Sequence, residues 1–139
     1  MDVAECLEKG LLKRDRPDMD KALRSVQKAA GRAERALKLA GAGFLEDAVV
    51  AAYSAMFHAA RALLFRDGFK ERSHYGLYVY ISEKYKERME RRFLVQFDYL
   101  RQERHEVIYS LEESKVAGEE AETAISLAKE FIEAVKKLL

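Results

Sequence analysis

Cysteine, proline and tryptophan are nearly missing from this chain of 139 residues, which holds one Cys, one Pro, no Trp and only seven glycines. A lone Cys6 excludes an intrachain disulfide and makes a reducing compartment the expectation. Pro17 as the single proline, with so few glycines, argues against a turn-rich all-β fold. No uninterrupted apolar run approaches the roughly 18–20 residues that span a bilayer. The first residues, Met1 to Glu5, carry acids where a secretory leader carries lysines. The expectation is a cytoplasmic protein with no membrane partner. Charge of one sign is lacking too: 25 Lys and Arg oppose 24 Asp and Glu, for a net charge of +1. Nucleic-acid binding through bulk charge is thereby excluded, and only a local basic patch is left open.

What is present is helical patterning, in a chain 49% apolar and 35% charged, of a length that suits one domain. Val3, Cys6, Leu7, Leu11 and Leu12 suit a short amphipathic helix over Met1 to about Arg14, broken near Gly10. Residues 1–16 are therefore expected as a helical lead-in and 17–139 as the bundle. Asp18 is placed to cap a first long helix, about Met19–Ala40, whose apolar stripe is Met19, Ala22, Leu23, Val26, Ala30, Ala33, Leu37 and Ala40. Gly41-Ala42-Gly43 ends it. A second helix, about Phe44–Asp67, is apolar on most sides and closes at Gly68, as expected of a helix with several neighbours. A short helix, about His74–Tyr85, follows a loop in which Ser73 is the cap. A fourth long helix spans about Glu90–Leu111, Ser114 to Gly118 turn the chain, and a last helix spans about Glu119–Leu138. The last helix opens with acids and closes with Lys136 and Lys137, matching its dipole. The expected fold is all-α, an up-and-down bundle of four to five helices.

The fourth long helix carries the chemistry. Its core stripe reads Phe93, Phe97, Leu100, Arg104, Ile108 and Leu111, so a guanidinium sits where periodicity places the core, a costly position unless it is paired or reaches a wet groove. Arg101, His105 and Tyr109 lie four apart on the adjoining stripe. Arginines hold phosphate bidentately, and a histidine with a pKa near 6.5 moves protons at neutral pH. That set suits the backbone of RNA or a nucleotide. The plainer reading is a solvated face, with Glu103 and Glu106 as ion partners. On the second helix one polar stripe survives, Asp47, Ser54, His58 and Arg61. It is either a solvated face or a surface meeting a ligand or another subunit, and Ser54, His58 and Arg61 join Arg101 as candidate substrate-binding residues. His58, His74, His105 and Cys6 show no metal-ligand spacing, so neither metal nor cofactor is expected.

Four segments together resemble the HEPN family, the helical domains named from higher eukaryotes and prokaryotes nucleotide-binding. They are AVVAAYSAMFHAARALLFRDGF (48–69), ERSHYGL (71–77), LRQERHEVIY (100–109) and EEAETAISLAKEFIEAV (119–135), with GLLKRDRPD (10–18) similar to the lead-in of one prokaryotic branch. The resemblance implies a helical bundle that pairs as a homodimer, often beside a small nucleotidyltransferase in a toxin–antitoxin system. It implies metal-independent ribonuclease activity where the motif of Arg, four to six residues and His is intact. Arg104 fits the arginine and His105 the polar residue after it, but Tyr109 stands where the histidine belongs. A phenol with a pKa near 10 is a poor general base at pH 7. Two readings stay open. In one, Arg104 holds a phosphate, Arg101 supports it, His105 transfers protons and Tyr109 stacks or hydrogen-bonds. In the other, the domain is a non-catalytic module that binds a nucleotide or a partner.

Overall fold

The computed structural model describes residues 1–112 and 115–139. The elements run α1 (Val3–Glu8), β1 (Leu12–Arg14), α2 (Met19–Gly41), α3 (Leu45–Asp67), β2 (Phe69–Glu71), α4 (His74–Tyr85), α5 (Arg91–Tyr109) and α6 (Gly118–Leu138). The fold is the expected all-α bundle, with one small two-stranded ribbon added. Ser114, expected in the turn before the last helix, lies outside the described residues.

Local chemistry sets the helix ends. The Asp18 carboxylate accepts from the Lys21 N–H to open α2, and the Ser73 hydroxyl accepts from the Gly76 N–H to open α4. Gly68 ends α3 at φ 89°, a left-handed position that glycine adopts without the Cβ penalty.

The centre of the bundle is α3. Ala48, Ala52, Ala55, Ala59 and Ala62 are all fully buried along it, and α2 lays Ala22, Ala29, Ala33 and Ala36 against it. Small side chains on both surfaces let the two helices approach closely. Ser25, the one buried polar residue on α2, donates to the His58 carbonyl at 2.7 Å. This alanine match corrects the stripe expected on α2. Met19, Leu23, Ala30 and Leu37 are exposed, and the helix is turned so that the smaller set faces α3. By length and composition alone α3 is apolar enough to cross a membrane, which the absence of an unbroken apolar run had hidden. Yet 72% of that window is buried inside the protein, under α2, α4, α5 and α6. Most of its apolar surface is thus covered by its own chain.

Phe93, Leu94, Phe97 and Leu100 hold α5 to the core. Tyr99 reaches Glu120 in the first turn of α6, at 2.8 Å. The two helices are antiparallel, so the last ten residues of α5 run past the start of α6. That ends the expected core stripe at Leu100. Arg104 is half-buried, Ile108 is 46% exposed and Leu111 is fully exposed.

The N-terminal segment packs on the outside of α4. Val3 and Cys6 are buried, and the Val3 N–H donates to Glu83 at 3.1 Å. The helix expected through Arg14 instead stops at Glu8. Gly10 turns the chain at φ 75°, and β1 pairs antiparallel with β2 in the register Leu12↔Glu71, Lys13↔Lys70 and Arg14↔Phe69. A strand partner some 57 residues away outcompetes the local helical preference.

Candidate functional site

Where α5 leaves the core, it and the first turn of α4 enclose an open cleft of about 640 Å³. His74, Tyr99, Arg101, Arg104 and His105 line it, together with Gln102, Glu103 and Glu106. The cluster expected on α5 therefore faces one concave surface. The structure adds a residue that the sequence reading had left without a role.

That residue is His74, the first residue of α4. Its Nδ1 lies 2.8 Å from the Tyr53 hydroxyl, and its ring stacks on Phe57 at 4.4 Å and on Tyr53 at 5.7 Å. Burial pushes the His74 pKa down, and Arg104, Arg101 and Arg61 push it further the same way, so the ring is neutral at pH 7. Burial also pushes the Tyr53 phenol well above its usual range, so it keeps its proton. Two tautomers satisfy this pair: Tyr53 donates to Nδ1 and Nε2 carries the hydrogen, or Nδ1–H donates to Tyr53 and Nε2 is a bare acceptor. In both, Nδ1 is committed to Tyr53, and Nε2 makes no hydrogen bond among the described residues.

The two arginines differ. Arg101 donates through Nε (3.1 Å) and a terminal nitrogen (2.8 Å) to one oxygen of Asp98, and its guanidinium lies over the rings of Tyr75 and Tyr78 at 5.3 and 6.0 Å. Its charge is held in place and partly offset. Arg104 makes no ion pair among the described residues, although it is half-buried. The opposite edge is acidic. Burial, Glu120 and Glu106 raise the Glu103 pKa, and the hydrogen bond to Glu120 pushes Tyr99 up to about 12. An anion is therefore favoured on the His74–Arg101–Arg104 side of the cleft only.

The other expected residues sit elsewhere. Tyr109 is 64% exposed beyond the cleft, its ring 4.7 Å from that of His105. Ser54, His58 and Arg61 are on α3 and do not line the cleft. Arg61 is 2.7 Å from Glu71 on β2 and rests over Phe57 and Phe65. His58 lies 3.4 Å from Arg61 and edge-on to Phe57. Burial, with Arg61, Lys28 and Arg32, pushes its pKa down to about 4. Phe57 thus separates the His58–Arg61 pair from His74. Among the described residues, no cluster of three or more His, Cys, Asp or Glu side chains suits a metal ion. The sequence signal for His74 was slight: a histidine just after a capping serine, and an aromatic pair, Tyr53 and Phe57, one turn apart on α3.

The HEPN domain matches residues 22–138 of the chain. The protein belongs to the HEPN family. No curated protein matches it. The matched span begins in the first turn of α2 and ends with α6. It takes in the whole cleft and leaves α1 and β1 outside. As a HEPN domain the chain is a helical module of a nucleotide- and RNA-related family. In this HEPN protein the position after Arg104 and four intervening residues is filled by an exposed phenol, while the half-buried, hydrogen-bonded imidazole of the cleft comes from α4.

Proposed function

We propose that this HEPN protein binds RNA or a nucleotide through phosphate, held on the His74–Arg101–Arg104 side of the cleft. The observation that carries the reading is Arg104. It is a half-buried guanidinium with no carboxylate partner among the described residues, beside a neutral histidine in one cleft. Its planar fork takes two phosphate oxygens, and Arg101, fixed by Asp98 and two tyrosine faces, adds charge without moving. His74 offers Nε2 to the phosphate or to a ribose hydroxyl.

The presence of His105 on the same cleft supports a catalytic version without metal. One imidazole takes the 2′-hydroxyl proton as O2′ bonds to phosphorus. The P–O5′ bond breaks, and the other imidazole, protonated, gives O5′ its proton, leaving a 2′,3′-cyclic phosphate. Titration of a labelled RNA with wild type and with Arg104→Ala tests the binding. Removing a charge-assisted hydrogen bond is expected to weaken binding about tenfold or more, and equal binding by both overturns the reading. Incubation in EDTA tests cleavage. Wild type is expected to cut, and His74→Ala and His105→Ala not to cut; no cutting by wild type removes the catalytic version and leaves a binding module.

The reading extends to assembly as a cytoplasmic homodimer, the ribonuclease-toxin half of a two-component system with a small nucleotidyltransferase. Family membership supports the partner, and exposed apolar residues on α5 support the dimer. Co-purification from the native host tests the partner, and a homogeneous preparation without a nucleotidyltransferase counts against it.

A further inference from the structure

The β1–β2 ribbon, whose first strand lies outside the span that matches the family, presents an arrangement that folding alone disfavours. Lys13 and Lys70 stand directly opposite each other in the antiparallel ladder, both exposed. Like charges at such a pair weaken it. Arg72 follows just past the end of β2, and Arg14, which alternates to the other face of the ladder, has its guanidinium 5.5 Å from the centre of the Phe69 ring. Lys13, Arg14 and Arg72 line an open groove of about 560 Å³ against the turn after α1. Among the described residues, no carboxylate lies within ion-pair distance of any of these four cations. The ribbon's own acid, Glu71, is on the opposite face and bound to Arg61. In a chain with a net charge of only +1, this concentration is local.

The groove and the cleft share no lining residue, but the chain passes directly from one to the other. Arg72 and His74 are two residues apart, so their Cα atoms are at most about 7 Å apart. That is about one phosphate-to-phosphate step along an extended single strand, which is longer than the roughly 3.4 Å axial rise per nucleotide of a stacked duplex. The link is rigid. The Arg72 N–H donates to the Leu11 carbonyl at 3.0 Å, and the first turn of α4 presses so closely on that carbonyl that a Cβ at Gly76 would sit 2.4 Å from its oxygen.

We infer that the β1–β2 ribbon is a second phosphate-binding surface, which carries the flanking strand of an RNA whose central phosphate sits in the cleft. The inference rests on the reading of the cleft given above and deepens it: the ligand is a strand of several nucleotides rather than a mononucleotide. Lys13, Lys70 and Arg72 hold successive phosphates, and the repulsion between the two lysines is relieved when a phosphate lies between them. The groove reads backbone charge, so it is indifferent to base sequence.

The test is a titration with a single-stranded RNA of about twelve nucleotides, a length that spans both surfaces, and with AMP, at several salt concentrations. Wild type is compared with Lys13→Gln/Lys70→Gln/Arg72→Gln and with Lys70→Gln alone. The triple variant is expected to bind the RNA at least about tenfold more weakly. Its slope of log K against log salt should be smaller by about 2, at about 0.7 for each phosphate that the variant no longer neutralises. AMP binding should be unchanged, which also shows that the variant is folded. Lys70→Gln alone should melt no lower than wild type and show about a third of the change in slope. RNA binding with the same affinity and slope in wild type and triple variant overturns the ribbon and leaves the cleft standing. Failure of wild type to bind either RNA or AMP overturns the cleft and the ribbon together. Poly-glutamate bound as tightly as the RNA at equal charge overturns RNA as the occupant.

Discussion

His58 and His74 are both held neutral, by burial first and by nearby arginines second. They differ in what they face. His74 borders the cleft, whereas His58 is enclosed by Phe57, Arg61 and the cations of α2, and its Nδ1 is placed to accept from Arg61. For His58 the folded pKa, about 4, lies below the ordinary value of 6.5. The unfolded chain therefore takes up a proton more readily, so the contribution to stability is complete above about pH 6.5 and is lost as pH falls toward 4. His58→Gln removes this one titration. Between pH 6.5 and 4.5 the wild-type melting temperature should fall further than that of His58→Gln, with the two curves parallel above pH 7. Parallel curves throughout would show that His58 titrates normally. The α5 cluster was legible because Arg101, Arg104 and His105 are close in sequence and break an apolar stripe. His74 was not, because its neutrality depends first on burial, against Tyr53 and Phe57 of a different helix, and then on arginines about 30 residues later.

At the scale of elements, the junction between β1 and α4 fixes both surfaces. Gly76 sits at the start of α4, where an added Cβ would be 2.4 Å from the Leu11 carbonyl oxygen and 3.0 Å from the Ser73 hydroxyl that caps the helix. A backbone atom cannot swing away. Gly76→Ala should cost about 1–3 kcal/mol through overpacking, although alanine is the better helix former. Gly31, exposed in the middle of α2, is the control. Nothing lies within 4 Å of a Cβ there, so Gly31→Ala should stabilise by up to about 1 kcal/mol. Denaturant midpoints of the two variants should move in opposite directions, and a neutral Gly76→Ala would show that the junction is slack. The helices themselves could be read from the chain because their ends are written locally, in Asp18, Gly68 and Ser73. The ribbon could not. Each strand is three residues long, too short for alternation to register, and its partner is remote. The orientation of α2 was equally hidden, since two apolar stripes compete there and the alanines of α3 decide between them.

For the whole molecule, the question is where a second copy would sit. The central helix α3 has no exposed large apolar side chain, because most of it is covered by its own chain. Among the described residues, the exposed large apolar ones lie instead on α5 and just beyond it, at Val95, Tyr99, Ile108, Tyr109 and Leu111, on the outer face of α2, at Met19, Leu23 and Leu37, and singly at Met1 and at Phe44 just before α3. The exposure of Ile108, Tyr109 and Leu111 has a structural cause: the helix runs on past the start of α6, so its last turns are without the partner that covers Phe97 and Leu100. Two such ends laid against each other about a two-fold axis would each cover the other's Ile108 and Leu111. The same contact would bring two copies of Arg104 and His105 close together. A stable contact of this kind buries more than about 1,000 Å² in total. Light scattering at micromolar concentration should then give twice the 16.0 kDa of one chain. Ile108→Asp/Leu111→Asp should give a folded monomer that binds RNA less tightly than wild type, while Leu23→Asp on α2 should remain dimeric. A monomeric wild type would remove the shared site and confine phosphate binding to a single cleft. A dimer broken by Leu23→Asp and untouched by the α5 pair would move the contact to α2, away from Arg104.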